Sequence, residues 1–161
     1  MKTIAVLIWL KVIVMILAVL VVLYLLMIMP RLTNRRERKK FLNVYYAHRG
    51  LHDNETDAPE NSMSAFRRAV EAGYGIELDV QVTKDKIPVV FHDFTLQRVC
   101  GQEGKVCDYT YEELQKFRLC KSSETIPLFE DVLKLVAGKV PLIVELKVEF
   151  TNLSVCEKAD A

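Results

Sequence analysis

From Val12 to Met29 the chain carries no polar side chain except that of Tyr24, and this run constrains the fold more than any other feature. At about 1.5 Å per residue, a helix over it spans roughly 27 Å, close to the ~30 Å hydrocarbon core of a bilayer. The run therefore predicts one transmembrane helix. Lys11 belongs at its outer end, because a lysine at mid-bilayer costs about 2.5–3.5 kcal/mol and its ammonium can snorkel to the headgroups instead. A cleaved signal peptide is the competing reading. It requires a shorter apolar core followed by small residues, whereas here the core runs into MIMPRLT. Residues 1–30 thus read as a retained anchor.

A basic linker, residues 31–42, follows. Arg31, Arg35, Arg36, Arg38, Lys39 and Lys40 stand there against one acid, Glu37. Basic flanks favour the cytoplasmic side and anionic headgroups, so the expected arrangement is single-pass with the C-terminal domain in the cytoplasm. Beyond Lys40 the balance reverses, with fourteen Lys and Arg against twenty Asp and Glu. That excess of acid is wrong for a nucleic-acid binder and suits a bound cation. Cys100, Cys107, Cys120 and Cys156 have no metal-site spacing and read as free thiols. Cys100 with Cys107 is the one local pair that an oxidising compartment could join.

Residues 43–161 alternate β-branched apolar runs with helical patterns, as a parallel α/β sheet or barrel does. Strands are expected at Val44–Ala47, leading into His48, and at Gly75–Gln81, Pro88–His92 and Pro141–Lys147. Asn61 is expected to cap a helix carrying Met63, Phe66 and Val70 that stops at Gly73. Thr110 and Glu113 form a capping box. Phe129, Val132, Leu133 and Val136 share one face of a helix ended by Gly138. Four strands with interleaved helices amount to the first half of a (β/α)₈ TIM-type barrel, preceded by the transmembrane helix. An open four-stranded sheet is the alternative.

The polar residues favour the barrel, because they gather at strand ends. His48 and Arg49 follow the first strand, Glu77 and Asp79 lie near the end of the second, His92 and Asp93 close the third, and Glu145 and Lys147 close the fourth. Residues two apart on a strand share a face, so Glu77 pairs with Asp79 and Glu145 with Lys147. Taken singly, a strand Glu is more often salt-bridged or exposed. As a set, three carboxylates converging in an apolar core need compensating charge, and three hard oxygen ligands suit Ca²⁺ or Mg²⁺. His52 lies in a polar loop and receives no role.

The strings AHRGLHDNETDAPENSMSAFRRAVEAG and GIELDVQVTKDKIPVVFHDFTLQR, followed by the T-x-x-E-L helix, IPLFEDVL and PLIVELK, closely resemble the glycerophosphodiester phosphodiesterase family. The likeness covers roughly Tyr45 to Lys147. It implies an eight-stranded barrel that uses Ca²⁺ or Mg²⁺ to hydrolyse glycerophosphodiesters to glycerol 3-phosphate and an alcohol. It also implies Glu77, Asp79 and Glu145 as metal ligands, His48 and His92 as the acid and base, and Arg49 and Lys147 as the phosphate clamp. Glu60 would support the site from behind. Three other functions remain open: a lysophospholipase-D-like activity on membrane lysophospholipids, a phosphoinositide-type phospholipase C, and a non-catalytic truncated fragment. The phospholipase would not be expected to carry the IELDV and VELK strands.

Overall fold

The computed structural model describes residues 2–29 and 39–147. Most of the basic linker, all of Arg31–Arg38, and Cys156 lie outside the described residues. The chain divides into two units, Met1–Lys39 and Lys40–Ala161.

Among the described residues the first unit contains the helix α1 (Lys2–Ile28), within which Val6–Ile28 is long and apolar enough to cross a membrane. The same length and composition suit a signal sequence near an N-terminus. The helix extends back to Lys2, so Lys11 lies inside it, and the apolar span within it starts at Val6, ahead of the crossing expected from Val12.

The second unit is an α/β fold around a mixed four-stranded sheet. Strand β2 (Gly75–Val82) is its centre, with β1 (Tyr46–His48) and β4 (Leu142–Leu146) parallel to it. Strand β3 (Pro88–Val90) is antiparallel to β2, which corrects the expectation of an all-parallel sheet. The reason is local. A parallel connection needs a crossover of roughly a dozen residues, and only Thr83–Ile87 lie between these strands. Thr83 closes the turn: its hydroxyl accepts from the Ile87 N–H at 2.9 Å, and its N–H donates to the Ile87 carbonyl at 3.0 Å.

This hairpin changes how the site is assembled. β2 runs on past Asp79, and β3 returns to the level of that residue, where the Phe91 N–H donates to the Asp79 carbonyl at 2.9 Å. The end of β3 therefore reaches the site by reversal, without any parallel alignment of strand ends. Gln81 secures the returning segment through its Nε2, which donates to the carbonyls of Phe91 (2.9 Å) and Asp93 (2.7 Å).

Strand alternation sorts the two faces. Ile76, Leu78 and Val80 pack with Phe66 and Ala69 of α2 (Met63–Glu71) and with Val132 and Val136 of α5 (Phe129–Val136). Leu133, expected on that buried face, is largely exposed. A second apolar cluster is built from Val89 and Phe91 with Leu96, Val99, Val106, Leu114, Leu119 and Ile126. It includes the short helices α3 (Gln97–Cys100) and α4 (Tyr111–Leu114), and the expected Thr110–Glu113 capping box is present at α4. Cys100, Cys107 and Cys120 are free, and burial pushes the Cys100 thiol up to about 12, a pKa unsuited to nucleophilic work.

The cap of α2 is Ser62, whose hydroxyl accepts from the Ala65 N–H at 3.1 Å, and not the neighbouring Asn61. Asn61 adopts a left-handed backbone (φ 55°), which leaves its side chain free to turn toward β2. Arg49 (φ 58°) and Gly50 (φ 84°) make a second left-handed stretch directly after β1. A Cβ on Gly50 would lie 2.9 Å from the Ala65 Cβ and 3.0 Å from the Phe66 ring, so α2 packs against bare backbone there. Gly50→Ala combines a clash with a strained φ and should lower stability by roughly 1–3 kcal/mol. Denaturant unfolding of the detergent-solubilised chain measures this; a change within ~0.5 kcal/mol, as for an ordinary surface substitution, would show the contact to be soft.

Candidate active site

The polar face of the sheet carries Glu77 and Asp79 from β2 and Glu145 from β4. Parallel register places Asp79 directly opposite Glu145, and one carboxylate oxygen from each of the three residues lies within 4.8 Å of the others. Asp79 is almost wholly buried, and like charges placed opposite one another repel. Lys147 provides part of the compensation, with its Nζ 2.6 Å from Glu145 Oε1 and 3.2 Å from Asp79 Oδ1. Burial works against the Lys147 charge, but the Glu145 and Asp79 carboxylates beside it outweigh that and raise its pKa.

Asp79 Oδ1 nevertheless receives no hydrogen bond of proper geometry, and neither does the buried Asn61 Oδ1. Its other oxygen accepts from Asn61 Nδ2 at 3.2 Å. A buried carboxylate oxygen whose one nearby cation, Lys147, lies off hydrogen-bond geometry, set beside two further carboxylates, is the donor set of a hard divalent cation such as Ca²⁺ or Mg²⁺. The residues present therefore fit such an ion.

Arg49 and His48 lie against this group, and His92 follows Phe91, whose N–H bonds the Asp79 backbone. The left-handed backbone at Arg49 is pinned from both sides: its N–H donates to the Glu77 carbonyl (2.9 Å), and its carbonyl accepts from the Asn61 N–H (2.9 Å). The Arg49 side chain donates from Nη1 to Glu60 Oε1 at 2.9 Å and brings Nε within 3.8 Å of Asp79 Oδ2. His48, paired in register with Glu77, is mostly exposed, with Nε2 3.8 Å from Glu77 Oε2. His92 has Nδ1 2.7 Å from Asp93 Oδ1, which leaves Nε2 available for proton transfer. His52 is exposed in its loop.

Behind these residues lies a pair of carboxylates that composition and spacing did not reveal as a unit. Arg98, at the start of α3, grips both oxygens of Asp93 (Nε to Oδ2 2.6 Å, Nη2 to Oδ1 2.8 Å). It also grips both oxygens of Glu60 (Nη1 to Oε2 2.9 Å, Nη2 to Oε1 2.6 Å). Asn54 adds a further bond to Glu60 at 2.9 Å. Burial pushes the Glu60 carboxyl up, but the bonds from Arg98 and Asn54 and the charges of both arginines outweigh it and hold the pKa at about 2. The Arg98 hydrogen bond likewise lowers Asp93 against its burial, with help from His92. The only hint in the sequence was the arginine closing HDFTLQR, five residues after Asp93.

The glycerophosphoryl diester phosphodiesterase family matches residues 48–160, and the chain belongs to that family. It is 42% identical over 111 residues to a glycerophosphodiester phosphodiesterase of Bacillus altitudinis, covering 65% of this chain and 44% of that protein. It is 36% identical over 107 residues to human glycerophosphodiester phosphodiesterase 1, covering 66% and 30%. Among solved structures it is similar to an Oleispira antarctica phosphodiesterase in complex with the product sn-glycerol-3-phosphate (TM-score 0.60, 30% identity, 68% of this chain and 46% of that one). It is also similar to the Thermotoga maritima glycerophosphodiester phosphodiesterase (TM-score 0.57, 32% identity, 72% and 49%). These neighbours are TIM barrels, and this chain spans less than half the length of each of these relatives.

The depressed Glu60 pKa has a consequence for acid stability. A carboxylate whose folded pKa lies below its unfolded value stabilises the fold above the unfolded value and loses that contribution as pH falls toward the folded one. The window here runs from 4.5 down to about 2. Glu60→Gln should flatten the dependence of unfolding free energy on pH within that window. An unaltered slope in denaturation curves recorded across it would show that the Glu60 charge does not contribute.

Proposed function

We propose that this chain forms the catalytic first part of a membrane-tethered barrel that hydrolyses glycerophosphodiesters to glycerol 3-phosphate and an alcohol. Within this reading, residues 1–30 are a retained single-pass anchor, 31–42 a basic linker and 43–161 the partial catalytic domain, facing the cytoplasm. The far edge of β4, where Ile143, Val144 and Leu146 are exposed, is where further strands would add in a complete barrel. The observation that carries the functional reading is the meeting of three carboxylates from two paired strands, flanked by two cations and by His48.

A phosphodiester is a stable anion, so its hydrolysis demands charge neutralisation at the phosphoryl oxygens and proton transfer at both ends of the reacting bond. Glu77, Asp79 and Glu145 would hold a Ca²⁺ or Mg²⁺ ion, which when bound supplies positive charge to the phosphoryl group. Arg49 and Lys147 supply fixed positive charge beside it. Both already lie against Asp79, so substrate anion and carboxylates draw on the same two cations. His48 and His92 divide the proton transfers. One takes a proton from the attacking oxygen, and the other delivers one to the departing alkoxide. The Asp93 carboxylate keeps the His92 Nδ1–H engaged, so His92 exchanges its proton at Nε2.

The apolar helix supports a second substrate class, membrane lysophospholipids cleaved in lysophospholipase-D fashion. Relative turnover of glycerophosphocholine and lysophosphatidylcholine separates the two. In the complete enzyme, EDTA should abolish turnover, with Ca²⁺ or Mg²⁺ restoring it. His48→Ala and His92→Ala should each lower kcat by about 10²–10⁴-fold, while His52→Ala leaves it unchanged. Full activity after exhaustive chelation, or equal sensitivity at His52, would contradict these assignments.

A further inference from the structure

We propose that Arg98 is a positioning residue that aligns His92 for proton transfer and Arg49 for phosphate binding at once, by holding the two carboxylates behind them. The inference deepens the phosphodiesterase reading above and rests on it.

One guanidinium makes four short bonds here, two to Asp93 and two to Glu60. Asp93 in turn holds His92 at Nδ1 (2.7 Å), and Glu60 holds Arg49 at Nη1 (2.9 Å). The result is a continuous chain from one side of the site to the other: His92, Asp93, Arg98, Glu60, Arg49. A planar fork can satisfy two carboxylates in this way, whereas a lysine ammonium offers a single point charge.

A purely structural ion pair explains the arrangement less well. The Arg98 side chain is 48% exposed, so it fills little of the core, whereas the Glu60 side chain is 5% exposed. Without Arg98, Glu60 keeps Arg49 and Asn54 as partners, so the buried carboxylate stays satisfied, but it loses the two bonds that fix its orientation against Arg49. Asp93, by contrast, has no hydrogen-bond partner for its carboxylate other than His92 and Arg98 among the described interactions. Its freedom to rotate away from His92 is what Arg98 removes. Partners that orient a catalytic or ligating histidine from behind are commonly worth 10–100-fold.

The test is Arg98→Met in the complete enzyme, alone and combined with His92→Ala, read in two ways. With glycerophosphocholine as substrate, Arg98→Met should lower kcat by about 10–100-fold and raise KM through the loosened Arg49. In the His92→Ala background the kcat loss should vanish while the KM rise persists. Independently of turnover, ¹⁵N NMR recorded where the spectrum itself shows a neutral imidazole should find His92 protonated at Nδ1. Arg98→Met should populate the Nε2–H tautomer. An equal kcat loss in both backgrounds, or an unchanged tautomer, overturns the positioning role. Absence of turnover in the parent would count against the phosphodiesterase reading, and the tautomer would still decide the role of Arg98.

Discussion

Asp79 sits buried at the centre of the sheet with Glu145 directly opposite it and Glu77 two residues before it on the same face. A sheet built for stability alone would not place three acids there, because burying carboxylates and setting like charges side by side both oppose folding. Much of the surrounding structure answers that one repulsion. Lys147 bridges Asp79 and Glu145, Asn61 leaves its expected capping role to donate to Asp79, and Arg49 adopts a left-handed backbone that brings its guanidinium to the same carboxylate. One oxygen of Asp79 has only the Lys147 ammonium near it, 3.2 Å away and off hydrogen-bond geometry, and that remaining demand is what a divalent cation would satisfy.

The hairpin between β2 and β3 explains how so few strands surround the group. In a parallel barrel the reactive residues collect where all the strands end. Here β1 and β4 follow that rule, whereas β3 comes back antiparallel and bonds the Phe91 backbone to that of Asp79, with His92 and Asp93 directly following. The two apolar clusters reflect this geometry. Val90 faces the α2 and α5 helices, while Val89 and Phe91 anchor the other cluster, so the segment leading to His92 is packed from both sides. A histidine meant to transfer protons gains from such rigid support.

The sequence made the acid positions legible because strand alternation has a fixed period and because carboxylates are out of place in apolar strands. The direction of β3 was also readable, since the five residues Thr83–Ile87 cannot cross over a sheet, but the rhythm of alternating strands and helices suggested otherwise. Asn61 and Ser62 are adjacent residues of equal capping ability, and only the need of Asp79 for a donor decides between them. Arg98 was not legible as part of the site. Its bond to Glu60 joins residues 38 apart, and only the folded chain brings the α3 segment against the loop before α2.

Anomalous diffraction from crystals of the protein soaked in Mn²⁺ tests the central claim most directly, because Mn²⁺ favours the same oxygen ligands as Mg²⁺ and Ca²⁺ and scatters distinctively. The account predicts one strong peak bounded by Glu77, Asp79 and Glu145, lost in Asp79→Asn. No peak at that position, or an undiminished one in the variant, would contradict it.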